Sequence, residues 1–260
     1  MHLSVIIPAY NEEKRITSTL VSIRNYLSKQ NYDWEVLVVS DGSKDNTAEI
    51  VGNFARQDLG FKLIANEKNH GKGYVVKQGL LEAKGDFRLF TDADNSTTID
   101  HLEKFWPWFK EGYDIVIGSI EIEGAKIFEK AQWYRRWLGR FSKYLIRFMT
   151  GLWEIHDTQR GFKLFTAKAA MEIFPKIKIN RFGFDFEVLA LAKKKGYKIK
   201  EVAVVWSNPG ESKVTLKSYI ATLKELIKVR WYLWINYSAN SGRIWFPENG
   251  FCFLSAGPTP

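Results

Sequence analysis

Over the first half of the chain, short apolar runs rich in β-branched residues alternate with stretches that are apolar on one helical face. "LSVII", "EVLVV", "FKLIA", "FRLFT" and "DIVIG" read as strands. Between them Ile16, Leu20, Ile23 and Leu27 recur at helical spacing, and helical patterns follow to about Arg56, from Gly73 to Ala83, and from Asp100 to Phe109. This alternation predicts a Rossmann-like α/β fold, a mostly parallel sheet flanked by helices. In such sheets ligands sit beyond the carboxyl ends of the strands. That rule directs attention to Pro8 to Glu12 after the first strand, Ser40 to Ser43 after the second, and Asp92 to Asp94 after the fourth.

The second half has another texture. From Lys130 to Leu152, Tyr134, Trp137, Leu138, Phe141, Leu145 and Phe148 fall on one helical face, with Arg136, Arg140, Lys143 and Arg147 opposite. A second amphipathic segment, from about Leu216 to Ile235, carries Lys217, Lys224 and Lys228 on one side. We read residues 1–235 as one domain, with halves of about 1–120 and 121–235, and 236–260 as a C-terminal tail.

Lys and Arg number 38 against 29 Asp and Glu, a formal net charge of +9, which favours anionic partners. No nucleic-acid-binding motif accompanies the charge, so the reading turns to nucleotides and membrane surfaces. Cys252 is the single cysteine; it rules out an internal disulfide and fits a reducing compartment. The first residues lack a basic segment followed by a long apolar one, and nowhere do about 18 to 20 uncharged apolar residues run together. The expectation is a cytoplasmic protein in peripheral contact with a membrane.

Asp92-Ala93-Asp94 places two carboxylates at i and i+2 of a strand end, on one side of the chain. Both can reach one hard divalent cation, Mg²⁺ or Mn²⁺, which takes oxygen ligands and offsets charge on a diphosphate. A turn would use the same residue types, so the pair alone is weak. Its weight comes from convergence with Asp41-Gly42-Ser43 and with Pro8-Ala9-Tyr10-Asn11-Glu12 at neighbouring strand ends.

In this order, "VIIPAYNEEKRI", "VLVVSDGSKDNT", "NHGKGYVVKQG" and "FTDADNST" resemble family 2 glycosyltransferases of the GT-A fold, over roughly residues 3 to 230. "DTQRGFKLF" and "NPGESKV" resemble the branch that transfers one sugar to a polyprenyl or dolichyl phosphate, and within it the dolichyl-phosphate β-glucosyltransferases. The resemblance implies a nucleotide-sugar site of Pro8, Ala9, Tyr10, Asn11, Glu12, Val39, Asp41, Lys72, Gly73, Asp92 and Ala93, with Asp92 and Asp94 on the metal. It implies inverting transfer, with UDP-glucose as donor and a polyprenyl or dolichyl phosphate as acceptor. Ser40, Ser96 and Ile120 stand where other members carry Asp, Gln and Arg, which points away from mannose more than from glucose.

Asp94 and Asp157 are the candidate catalytic residues, Asp157 with a capping role as its alternative. Arg136 and Lys213 are candidates for the acceptor or donor phosphates, and His156 reads as structural. Two further functional readings stay open: another enzyme of the family, using GDP-mannose or a saccharide acceptor, and a non-catalytic nucleotide-sugar-binding subunit.

Overall fold

The computed structural model describes residues 2–127, 133–207 and 216–241, and within them the side chains of all but 127, 133–141, 216–220 and 234–241. The expected strands form as β1 (Leu3–Ala9), β2 (Trp34–Asp41), β3 (Phe61–Asn66), β4 (Phe87–Thr91) and β5 (Ile115–Ser119). Helices α1 (Ile16–Leu27), α2 (Thr47–Gln57), α3 (Lys72–Glu82) and α4 (Trp106–Lys110) alternate with them. The pattern from Asp100 to Phe109 is not one helix. A 3₁₀ turn at Ile99–Lys104 precedes α4, because Pro107 lacks an N–H and is tolerated only in a helix's first turn.

The second half supplies β6 (Lys126–Ile127), α5 (Trp133–Thr150), β7 (Phe162–Thr166), α6 (Ala167–Ile173), α7 (Phe184–Lys194), β8 (Ile199–Ala203), β9 (Val205–Trp206) and α8 (Leu216–Ser241). Helix α8 thus continues past 235 into the segment read as a tail. The seven-stranded sheet has the order β3-β2-β1-β4-β7-β5-β8. It is parallel except for β7, which runs antiparallel between β4 and β5. That insertion brings residues 157–162 to the carboxyl end of β4, since Thr91 pairs with Phe162.

Alternation along the strands divides the core between the two faces of the sheet. Val5 and Ile7 pack with Ile16, Leu20 and Val51 from α1 and α2, while Ile6 and Val39 pack with Val75, Val76 and Leu80 from α3. Pro8 and Ala9 lie inside β1, buried, and not beyond it. The β1–β4 ladder stops at Ile6 opposite Phe90, so Pro8, which has no N–H to donate, falls where that pairing has ended.

The opposite end of the sheet, where the strands start, is tied by Glu35, 2% exposed, which accepts from the Ser4 hydroxyl at 2.7 Å, the Lys84 amide at 2.7 Å and the Lys62 ammonium at 2.8 Å. Burial raises the pKa of this carboxyl, but the Lys62, Lys84 and Ser4 bonds outweigh burial and hold it below the usual 4.5. A lowered native pKa gives stability that is present above pH 4.5 and is lost as pH falls through the native value. Glu35→Gln is therefore expected to destabilise the protein by about 2 kcal/mol at pH 7 in urea unfolding. The gap should narrow as the pH is taken below 4.5; a gap independent of pH would sink this account.

Candidate active site

The loops after β1 and β2 brace each other across the rim of a crevice. The Asn11 amide donates to Ser43 Oγ, the Lys44 amide to Asn11 Oδ1, the Glu12 amide to Thr47 Oγ1 and the Asn46 amide to Glu13 Oε2. Asn11 adopts φ 53°, a left-handed conformation that Asn tolerates better than most residues. Tyr10 is exposed on this rim, and Glu12 pairs with Arg15.

Asp41, at the end of β2, is buried and accepts from the amides of His70 (2.7 Å) and Gly71 (2.9 Å). Both carboxylate oxygens are thereby spent on the loop that starts α3. Gly71 takes φ 104°, and a Cβ there would stand 2.4 Å from the Asn180 carbonyl oxygen. A Cβ on Gly73 would likewise stand 2.6 Å from the Ile179 carbonyl oxygen, so the first turn of α3 is pressed onto the 179–184 segment. Val39, Ala9 and Ala93 are core residues.

From that first turn Lys72 reaches Asp92, Nζ to Oδ1 2.7 Å. Burial alone would lower the Lys72 pKa; the charges of Asp92, Asp185 and Asp94 outweigh it and hold the ammonium above its ordinary value. Asp94 Oδ1 accepts from the Ser96 amide at 3.0 Å and from the Ser96 hydroxyl. Thr19 of α1 donates to the Ala93 carbonyl at 2.7 Å, which fixes the turn between the two carboxylates.

The segment 156–163 arrives from the other side, and each polar residue has its own task. The amides of His156 and Asp157 both donate to Glu201 on β8, at 2.8 Å each. Asp157 is buried, and its Oδ2 accepts from the Ile120 amide and from Arg160, both at 3.3 Å. The Arg160 guanidinium also lies over Trp206, 5.0 Å from the ring centre. Gly161 accepts the Asp92 amide through its carbonyl at 3.2 Å. Lys163, 1% exposed, pairs with Asp185, 4% exposed, at the start of α7. Burial pushes the Asp185 carboxyl up, and Lys163 and Lys72 oppose that shift.

Next to Lys72 opens a cleft of about 330 Å³ between α5, α8 and the start of α7. Leu145, Ile146, Phe182, Leu223 and Leu226 make it apolar, with Lys72, Gln159 and Asp185 among its polar lining. Of the face read on α5, Leu145 is half-buried against the core but Phe148 is exposed, and Ile146 is the buried residue instead. Lys143 pairs with Glu121, and Arg147 donates to the His156 carbonyl. The side chain of Arg136 and all of Lys213 lie outside the described residues, as do the side chains of Tyr134, Trp137, Leu138 and Phe141.

The model of the glycosyl transferase family 2 domain matches residues 4–174, most of the chain and all of the crevice's strand ends. The chain is a family 2 glycosyltransferase. A dolichyl-phosphate β-glucosyltransferase of Trichomonas vaginalis is 37% identical over 243 residues, 89% of this chain and 72% of the relative. The human enzyme of that name is 32% identical over 244 residues, covering 88% and 74%. Among solved structures, mannosyl-3-phosphoglycerate synthase from Rubrobacter xylanophilus superposes with a TM-score of 0.68 at 15% identity, covering 96% of this chain and 79% of that one. Glucosyl-3-phosphoglycerate synthase from Mycobacterium tuberculosis, in complex with Mn²⁺, UDP-glucose and phosphoglyceric acid, gives 0.60 at 20% identity, covering 89% and 79%. These two likenesses establish the α/β fold.

The glycosyltransferase's donor set fits a hard divalent ion. Among the described residues no cluster of three or more His, Cys, Asp or Glu could hold a metal. Two carboxylates at one turn are what Mg²⁺ or Mn²⁺ uses when substrate phosphates complete the shell.

Sequence reasoning missed Gly161, Lys163 and Asp185. A charged residue inside the apolar strand "GFKLF" and another inside "FGFDFEVLALA" were the available signals, because buried charges are rare unless paired. Gly161 had none. Its role is steric: a Cβ there would stand 2.0 Å from Asp92 Oδ2. Gly161→Ala is expected to displace that carboxylate and lower kcat/KM for sugar transfer about 10²-fold. Unchanged kinetics would show that the position of Asp92 does not matter.

Proposed function

We propose that this glycosyltransferase moves one glucose from UDP-glucose to a dolichyl or polyprenyl phosphate, inverting the anomeric centre, at the cytoplasmic face of a membrane. The observation that carries the reading is the alignment, over 89% of the chain, with a dolichyl-phosphate β-glucosyltransferase. The crevice supports it through Asp92 and Asp94 after β4 and Lys72 at the start of α3.

Asp92 and Asp94 would hold Mg²⁺ or Mn²⁺ on the donor diphosphate, where the ion offsets the charge that develops on the departing UDP. The acceptor phosphate is ionised at neutral pH, so it attacks the anomeric carbon without a strong general base. The chain's own work is positioning and charge stabilisation. Ser96 aims Asp94, and Gly161 leaves room for Asp92. Tyr10 and Asn11 are the rim residues offered to the nucleoside; Pro8, Ala9, Val39 and Ala93 shape its floor through the backbone, and Asp41, Gly73 and Glu12 by holding loops. Asp157 acts by fixing the 156–161 segment, with Asp94 nearer the chemistry. Arg136 and Lys213 remain proposals for phosphate contact.

Peripheral membrane contact is supported by the exposed aromatic and aliphatic residues Tyr144, Phe148 and Trp153, at and just after α5, and Leu223, Ile227 and Trp231 on α8. No described helix is long and apolar enough to cross a membrane.

The test is sugar transfer to a short polyprenyl phosphate in detergent, with Mn²⁺ or Mg²⁺, comparing UDP-glucose with GDP-mannose. Label in the lipid from UDP-glucose alone is the expected result. Transfer from GDP-mannose alone would replace the donor, and transfer only to saccharides would replace the acceptor.

A further inference from the structure

We infer that Lys72 anchors the phosphate of the acceptor, and that the acceptor's apolar chain lies in the cleft between α5 and α8; the inference rests on the reading above. Lys72 is the residue common to both halves of the site. Its ammonium is 2.7 Å from Asp92 Oδ1 in the crevice, and the same side chain lines the 330 Å³ cleft.

The cleft is built for a ligand with two kinds of surface. Leu145 and Ile146 of α5 and Leu223 and Leu226 of α8 offer apolar walls. The polar groups Lys72, Gln159 and Asp185 come from the elements that border the carboxylate pair. An anionic head with a hydrocarbon tail satisfies both, and neither an uncharged alcohol nor inorganic phosphate does.

Asp185 makes Lys72 a fixed anchor without consuming its charge. Its carboxylate is balanced by the buried Lys163 ammonium, and it lines the cleft together with Lys72. An ammonium has three N–H donors, so after the Asp92 bond two remain for a phosphate. Asp185 and Lys163 are thus positioning residues. The geometry also separates the substrates: the nucleoside rim at Tyr10 and Asn11 is formed by the β1 and β2 loops, and the cleft by α5, α7 and α8. Donor and acceptor then meet at Asp92 from different sides, as direct displacement requires.

The experiment titrates the full chain with farnesyl phosphate, farnesol and inorganic phosphate, followed by tryptophan fluorescence, both alone and with UDP and Mn²⁺ present. Wild type is expected to bind farnesyl phosphate at least about tenfold more tightly than the other two. Lys72→Met should lose about tenfold or more for farnesyl phosphate and nothing for farnesol, and Lys72→Arg should recover part of the loss. Asp185→Asn should weaken farnesyl phosphate alone, which general loosening of the fold would not do. If Lys72→Met binds farnesyl phosphate like wild type while wild type still glucosylates polyprenyl phosphate, the anchor is elsewhere and the proposed function stands. If wild type neither binds farnesyl phosphate in either condition nor glucosylates a polyprenyl phosphate, the functional reading itself falls.

Discussion

Asp94→Ala lowers kcat/KM for sugar transfer by about 10³-fold, roughly 4 kcal/mol of transition-state stabilisation, and Asp92→Ala does the same. The magnitude follows from what each carboxylate does. The pair is the described oxygen donor set at the crevice, and Ser96 aims one member while Lys72 and Gly161 place the other. Removing either would leave the proposed divalent ion with half its protein ligands. Mn²⁺ affinity, measured in the presence of UDP, should fall at least about tenfold in both variants. Both residues are partly exposed and end a strand, so the melting temperature should move little. Metal-dependent donor binding and turnover equal to wild type in both variants would remove the pair from the mechanism.

Asp185→Ala costs about 3–5 kcal/mol of stability, the largest effect on folding expected of a single change here. The Lys163 ammonium is 1% exposed and would be left in the core without its counter-charge. Replacing both partners, as Lys163→Met with Asp185→Leu, should restore most of that stability, because an apolar pair of similar volume avoids the desolvation of both ions. It should not restore activity, because the Asp185 carboxylate that lines the cleft with Lys72 is then gone. Urea unfolding of the single and double variants, with transfer assays on the double, separates the two roles. A single variant within about 1 kcal/mol of wild type would show that the pair is solvated in the folded state.

The five strands of the first half were legible because each is a short, mostly apolar run, which burial on both faces of a parallel sheet demands of β1, β2, β4 and β5, while the edge strand β3 is only partly buried. The carboxylate pair was legible for a related reason: acidic residues directly after an apolar strand lie where ligands bind in open α/β sheets. Pro107 was visible in the sequence too, yet the helical period around it masked the break between the 3₁₀ turn and α4. Asp157 stands out in its motif, but the motif does not reveal that its carboxylate is taken by the Ile120 amide and Arg160. Asp41 is similar, with both oxygens committed to the loop before α3.

The sequence by itself determined the α/β class and the location of the crevice at the strand ends. These depend on periodicity and on residue chemistry, which are local. Only the tertiary structure decided that β7 enters antiparallel beside β4, that Gly161 thereby faces Asp92, and that Lys163 pairs with Asp185 and Lys72 with Asp92. Those outcomes join residues from 72 to 185 through strand register and burial, and neither is written in the spacing of neighbouring residues.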